Sequence, residues 1–151
     1  MRISSPSNEK IKVVMQLQTK ASVRKKKKLF VVEGIKMYEE IPESDIEITY
    51  VSEKFWEENI KSEKIGENIK KRLNKKEYII VADNVFKNMS DTVTPLGIMA
   101  IVKQKEYELS DILDTNKKQV FMVLEGVRDP GNMGTILRTG DGAGIAGIIV
   151  N

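Results

Sequence analysis

The feature that most constrains the fold is a segment near the C-terminus in which a strand, a turn and a helix follow one another. Residues 120–124 are an uninterrupted apolar run, which predicts a strand buried on both faces of a parallel sheet. A loop over residues 125–131 then leads to a helix over residues 132–143, and residues 148–150 begin a further strand. This order predicts a βαβ unit, which normally cannot stand alone as a domain.

The turn before this helix has two interpretations. Asp129, Pro130, Gly131 and Asn132 suit a structural turn, in which Pro fixes one dihedral angle, Gly allows a positive one and Asn132 caps the helix. Gly131 and Gly134 also let a ligand approach the backbone, and a helix N-terminus offers free N–H groups to a phosphate or carboxylate.

Arg138 lies one helical turn beyond Gly134, on the face that the missing side chain leaves open. A guanidinium beside a glycine suits a planar anion, whereas the alternative is a surface Arg in an intrahelical pair. Both interpretations stay open from spacing alone.

Residues 142–147 match the GxGxxG spacing of dinucleotide-binding folds. That motif requires a strand before it and a helix after it, whereas here a helix precedes and a strand follows. We therefore interpret these residues as a helix end followed by a tight turn.

The chain contains neither Cys nor His. Disulfides, thiol catalysis and Cys-based zinc sites are excluded, the commonest metal ligand is missing, and we predict no metal site. Proton transfer then depends on carboxylates, Lys, Tyr or an Arg acting electrostatically. The sequence has no apolar run of about 18 residues and no apolar signal core, which predicts no membrane span and a cytoplasmic location.

Positive charge is concentrated at the N-terminus. Residues 1–36 hold ten Lys or Arg and two Asp or Glu, a net charge of +8, whereas the remainder carries −5. Localised basicity is typical of a polyanion partner, most often nucleic acid, and equally of a solvated lysine-rich face.

The N-terminal part alternates strands with helices, which predicts an α/β layer with helices covering the sheet. The apolar pattern predicts strands over residues 29–32, 46–51, 78–81 and 97–102. Helices are predicted over residues 6–20, 35–41, 53–59, 63–73 and 84–89. The five like charges of residues 24–28 predict a loop, and the polar stretch of residues 103–118 suits a linker between domains.

Several motifs in order resemble the SpoU family of RNA ribose 2′-O-methyltransferases, members of the SPOUT superfamily. LEG at residues 124–126, DPGNMG at 129–134 and ILRT at 136–139 are similar to the first catalytic signature of the family. Ile3, Ser4, Ser5, Asn8, Ile11 and Lys12, FVVEG at 30–34 and SDTVTPLGI at 90–98 resemble the small substrate-binding domain that many members carry.

This resemblance implies an RNA substrate-binding domain over residues 1–104, a linker over residues 105–118 and the start of a SPOUT methyltransferase domain over residues 119–151. The first is expected to be an α/β sandwich similar to RNA-binding ribosomal proteins, and the last to be the first βαβ unit of a trefoil-knot domain. The family's two further signatures are not present, so the cofactor-binding residues are expected C-terminal to residue 151 and the fragment is expected to be inactive.

The resemblance also implies a function: an S-adenosylmethionine-dependent enzyme, acting as a homodimer, that methylates a ribose 2′-hydroxyl of RNA, expected to be ribosomal RNA. It places Arg138 at the target ribose and its phosphate, with Asn132 shaping that site and Glu125 facing it from the strand end. The implied phosphate contacts of the first domain are Lys12, Arg24, Lys25, Lys26, Lys27 and Lys28. The alternative is a non-enzymatic RNA-binding module that uses the basic N-terminal domain.

Overall fold

A computed structural model describes residues 1–75, 77–114 and 116–151. The chain divides into two units, Met1–Lys105 and Glu106–Asn151, called here the N-terminal and the C-terminal unit. Every helix in the described part is too short or too polar to cross a membrane.

The N-terminal unit is built on a five-stranded mixed sheet. Its strands are β1 (Arg2–Ile3), β2 (Leu29–Glu33), β3 (Ile46–Ser52), β4 (Tyr78–Val81) and β5 (Ile98–Lys103). The spatial order is β1-β4-β3-β5-β2, so that β1 and β2 form the edges. β4 pairs in parallel with both β1 and β3, whereas β5 pairs antiparallel with both β3 and β2.

Helices cover both faces of this sheet. They are α1 (Glu9–Thr19), α2 (Ala21–Lys27), α3 (Ile35–Glu40), α4 (Glu53–Phe55) with a π-helical turn over Trp56–Lys61, α5 (Glu67–Lys75) and α6 (Asp83–Met89). α1 and α6 bury their apolar side chains on one face, and α3, α4 and α5 on the other. Because side chains alternate along a strand, Tyr50 of β3 joins the first layer and the next residue, Val51, the second. The predicted α/β layer is therefore confirmed as a helix–sheet–helix sandwich.

The predicted strands match β2, β3, β4 and β5 to within about two residues, as expected of element ends. β1 was not predicted, because two residues are too few to show a period. The starts of α1 and α5 were predicted too early, whereas those of α3 and α4 were predicted correctly. Asn8 caps α1 by accepting from the Lys10 N–H at 3.0 Å, and α5 begins at Glu67, directly after Gly66.

The prediction of a loop over residues 24–28 is wrong, since Arg24–Lys27 belong to α2. Arg24 is only partly exposed and its guanidinium donates to the carbonyls of Leu17 and Gln18 at 2.7 and 2.8 Å. These are carbonyls at the end of α1, which have no partner within the helix. A tertiary contact and the favourable position of Lys near a helix C-terminus thus outweigh repulsion between the lysines.

The C-terminal unit contains α7 (Leu109–Ile112), β6 (Phe121–Leu124), α8 (Pro130–Gly142) and β7 (Gly147–Val150). β6 and β7 pair in parallel with Phe121 opposite Gly147, and α8 connects them, so the predicted βαβ order is confirmed. α7 falls within the segment predicted as a linker. Its Ile112 reaches to 3.1 Å from the position that a Cβ on Gly147 would occupy, so this part of the segment packs within the unit.

Two predictions concern this unit: the burial of residues 120–124 and the role of the GxGxxG segment. The prediction of a strand buried on both faces at residues 120–124 is wrong, since Val120 is 67% and Val123 69% exposed. Met122 faces Gly140 of α8, whereas Val123, the next residue of β6, lies on the opposite face of the sheet. The GxGxxG segment is the end of α8 and a turn, as predicted: Gly144 has φ +73° and the Ile145 N–H donates to the Gly140 carbonyl at 3.0 Å.

Candidate functional site

The candidate site of the C-terminal unit is built around the start of α8. Pro130 is the first helical residue, where its missing N–H is not needed, and the Asp129 carboxylate accepts from the Asn132 N–H at 2.7 Å. The predicted cap at Asn132 is therefore wrong: Asp129 caps the helix. The Asn132 side chain is left exposed to solvent.

Arg138 and Gly134 lie together as their spacing predicts. A Cβ built on Gly134 would be 3.3 Å from Arg138 Nη1, so the guanidinium folds back over the backbone that lacks a side chain. Arg138 Nη2 donates to the Thr135 hydroxyl at 3.4 Å, a long hydrogen bond, and the hydroxyl itself donates to the Gly131 carbonyl at 3.0 Å. Arg138 is exposed and forms no ion pair within the described part of the chain. The contact with Thr135 is an intrahelical pair of an exposed arginine, as the alternative interpretation predicts, and the contact with Gly134 is the one that the first interpretation predicts.

A cleft of about 530 Å³ opens beside the helix start. Its lining consists of backbone and side chains from the loop and the first turns of α8, namely Gly126, Val127, Arg128, Asp129, Asn132, Thr135 and Ile136. Asn132 therefore belongs to the cleft. Arg138 is outside the lining but is bonded to Thr135, which is part of it. Glu125 follows the end of β6, is exposed and is also outside the lining. The structure thus joins Arg138 to the cleft through Thr135 and does not bring Glu125 into it.

The predicted phosphate contacts of the N-terminal unit differ from one another in environment. The Arg24 guanidinium is occupied by the carbonyls of α1, and Lys12 pairs with Glu9 at 2.7 Å across one turn of α1. Arg24 is therefore a weaker candidate for a phosphate contact, whereas the exposed pair of Lys12 with Glu9 contributes little and is easily exchanged.

Three lysines of the last turn of α2, called here the basic turn (Lys25–Lys27), are exposed and form no ion pair among the described residues. Lys28 is also exposed and ends α2 with φ +54°. Positive charge without an ion pair among the described residues is therefore concentrated on the basic turn (Lys25–Lys27). This concentration of cations is the electrostatic feature that nucleic-acid-binding surfaces share.

Comparison with known proteins shows a family for the N-terminal part of the chain. Residues 8–100 match the family model of the MRM3-like substrate binding domain. Over 150 residues the chain is 27% identical to 23S rRNA (guanosine(2553)-2'-O)-methyltransferase RlmP of Bacillus subtilis, which covers 99% of this chain and 54% of that protein. Over 82 residues it is 35% identical to the mitochondrial rRNA methyltransferase 3 of Xenopus laevis, covering 52% of this chain and 20% of that protein.

The fold is also that of a solved structure. The AdoMet-bound rRNA methyltransferase from Sinorhizobium meliloti superposes with a TM-score of 0.73 at 24% identity, over 99% of this chain and 54% of that one. The chain therefore spans about half the length, or less, of the proteins it matches. The likeness extends through both units.

Proposed function

Since this chain belongs to the SpoU family of SPOUT-class RNA methyltransferases and carries an MRM3-like substrate-binding domain, we propose that its protein is an S-adenosylmethionine-dependent rRNA 2′-O-methyltransferase. The N-terminal unit binds the RNA, and the C-terminal unit begins the methyltransferase domain. The observation that carries this proposal is the exposed guanidinium of Arg138, which lies next to Gly134, is hydrogen-bonded to Thr135 on the border of a cleft and has no ion pair among the described residues.

Arg138 acts on the acceptor nucleotide in this proposal. A ribose 2′-hydroxyl is a poor nucleophile, and the oxygen gains negative charge as its proton leaves. A guanidinium held beside it stabilises that charge and binds the neighbouring phosphate through two parallel hydrogen bonds. Asn132, exposed in the cleft, contacts the same nucleotide. Glu125, which lies outside the lining of the cleft, has no role in this proposal. The proton passes to solvent water, which reaches the exposed cleft.

The residues present do not fit a complete cofactor site. The cleft is lined by exposed or half-exposed groups, and Gly140 is the only residue of α8 that is buried. An S-adenosylmethionine pocket normally encloses most of its ligand. We therefore place the cofactor-binding residues outside residues 1–151, as the family resemblance implies.

Three finer features belong to the same proposal. The N-terminal sandwich resembles RNA-binding ribosomal proteins, and the βαβ unit opens a trefoil knot. The protein is a cytoplasmic homodimer that pairs through its catalytic domain. The pairing is what the family resemblance implies, and Leu137 of α8 and Ile149 of β7 are exposed apolar side chains available for it.

Transfer of a labelled methyl group tests the proposal. The full-length protein is incubated with labelled S-adenosylmethionine and 23S rRNA fragments, and the RNA is digested to nucleosides. We expect label on the ribose of one nucleotide, together with resistance of the adjacent phosphodiester to alkali, because a methylated 2′-oxygen cannot attack it. Label on a base, or none, would contradict the proposal. Binding of RNA without transfer would favour the alternative of a non-enzymatic RNA-binding module.

A further inference from the structure

The cleft beside α8 is lined by a second arginine, to which the function proposed above gives no role. Arg128 lies in the loop before the helix and is exposed. Within the described residues its guanidinium forms neither an ion pair nor a side-chain hydrogen bond. The carboxylate of the next residue, Asp129, already accepts from the Asn132 N–H at 2.7 Å as the helix cap. Arg128 is therefore the one cation among the lining residues, and no described carboxylate pairs with it.

The other lining residues suit a nucleotide better than a small anion. Val127 of the loop and Ile136 of α8 are half-buried and give the cleft apolar surface. Asn132 and Thr135 add an exposed amide and an exposed hydroxyl. A cleft of about 530 Å³ with this lining matches a ligand that combines a flat apolar face, polar edges and a negative charge. One unpaired nucleotide of an RNA strand has all three, in its base, its ribose and its phosphate.

Arg138 approaches the same cleft from the helix. Its guanidinium contacts Gly134 and the Thr135 hydroxyl, so its charge lies one turn, roughly 5 Å, nearer the helix start than its own backbone. Thr135 shares the lining of the cleft with Arg128. A strand that passes Thr135 therefore meets one guanidinium from the loop and another from the helix.

We propose that Arg128 binds the phosphate on one side of the acceptor nucleotide, while Arg138 binds the phosphate on the other side; the inference rests on the proposed function. A guanidinium binds a phosphate through two parallel, charge-assisted hydrogen bonds. The phosphate carries its charge before, during and after methyl transfer, so this contact stabilises the bound substrate and the transition state alike. Arg128 thus sets the affinity and the position of the RNA, whereas Arg138 also determines the rate at saturation.

Steady-state methyl transfer by the full-length protein to 23S rRNA fragments tests this division. Arg128→Gln should raise the KM for RNA roughly 5- to 30-fold and leave kcat within about 2-fold, as expected when a charged hydrogen bond common to both states is lost. Arg128→Lys keeps the charge but not the fork, so its KM should lie between those of the wild type and Arg128→Gln. Lys118→Gln is the matched control, because it removes an exposed cation of the same unit outside the cleft, and its KM should not change.

RNA binding measured without the methyl donor gives a readout that is independent of transfer. Arg128→Gln should make the slope of log affinity against log salt concentration shallower by about 0.7 to 0.9, the contribution of one phosphate contact. An altered slope without methyl transfer by the wild type would support the phosphate contact and contradict the proposed methyltransferase. An unchanged KM and slope in Arg128→Gln, with an active wild type, would overturn the inference and leave the enzyme proposal intact.

A substrate with one uncharged linkage tests the position of the contact without any protein variant. The phosphate on either side of the methylated nucleotide is replaced in turn by a methylphosphonate. Each replacement should weaken wild-type activity, and one of the two should have no further effect on the KM of Arg128→Gln, because the partner of that phosphate is already missing. Full wild-type activity with both neutral linkages, or equal additional losses in Arg128→Gln, would overturn the inference.

Discussion

Gly97 is the position at which one added methyl group should be most damaging. It has φ +78°, and a Cβ there would lie 2.6 Å from Phe55 Cβ and 3.0 Å from Ser52 Oγ. Both neighbours are buried, and the Ser52 hydroxyl accepts from the Phe55 N–H at 3.1 Å to cap α4. The Gly97 carbonyl in turn accepts from the Ser52 N–H at 2.9 Å. The added atom therefore has no free space, and the residues that would have to move are tied to each other.

We expect Gly97→Ala to lower the free energy of unfolding by about 2 to 5 kcal/mol. The left-handed backbone contributes about 1 to 2 kcal/mol and overpacking against Phe55 about 1 to 3 kcal/mol. With the usual dependence on denaturant, the urea midpoint should fall by roughly 1 to 3 M. Trp56 is the only Trp of the chain and lies in the same unit, so its fluorescence follows this transition.

Gly66→Ala is the matched control. Gly66 lies in the same unit, and nothing is within 4 Å of its Cβ position. Its replacement should change the free energy of unfolding by less than about 1 kcal/mol, the scale of a cap or propensity effect. The reasoning is refuted if Gly97→Ala leaves the midpoint unchanged, or if both variants lower it equally.

Three further perturbations test other parts of the structure. Asp129→Ala should destabilise α8 by about 0.5 to 2 kcal/mol through loss of its cap, seen as faster amide exchange in its first turn. Burial raises the pKa of Tyr50 from 10.0 to about 12, so the folded state holds that proton more tightly. Unfolding free energy should therefore fall as pH rises from 10 to 12, and Tyr50→Phe should lack that component. Replacing the basic turn (Lys25–Lys27) by Gln should weaken the salt dependence of RNA binding. The slope of log affinity against log salt concentration should become shallower by up to about 2, whereas the same change at Lys70, Lys71 and Lys75 of α5 should leave it unchanged. Unaltered amide exchange in Asp129→Ala would contradict the first expectation. The second is contradicted if wild type and Tyr50→Phe lose unfolding free energy equally between pH 10 and 12, and the third if the basic-turn variant keeps the wild-type slope.

Much of the N-terminal fold could be predicted from local patterns. β3 and β5 are central strands with strong patterns: β3 has four consecutive apolar or β-branched residues, Ile48–Val51, and β5 has five, Ile98–Val102. The helix α2 could not be predicted, because the carbonyls that bind Arg24 are brought to it only by the chain reversal between α1 and α2. The cap of α8 was within reach of sequence reasoning, since Pro at the first helical position already places the cap at Asp129.

The residues of the candidate sites also differ in whether local sequence or tertiary contact brings them together. Gly134 and Arg138 lie one turn apart on a single helix, so helical geometry alone brings them together. The occupation of Arg24, by contrast, depends on tertiary contact. Composition therefore predicted a basic region, but it could not show that Arg24 binds helix carbonyls whereas Lys25–Lys27 form no ion pair among the described residues.

The most direct test of the central claim separates catalysis from RNA binding at Arg138. Methyl transfer and RNA affinity are measured for the full-length protein, for Arg138→Ala and for Arg2→Ala, which removes an exposed arginine of the N-terminal unit. We predict that Arg138→Ala lowers the transfer rate roughly 100- to 1000-fold, the usual effect of losing one group that stabilises a developing oxyanion, while most of the RNA affinity remains. Arg2→Ala should transfer at the wild-type rate. Transfer by Arg138→Ala at the wild-type rate would contradict the account.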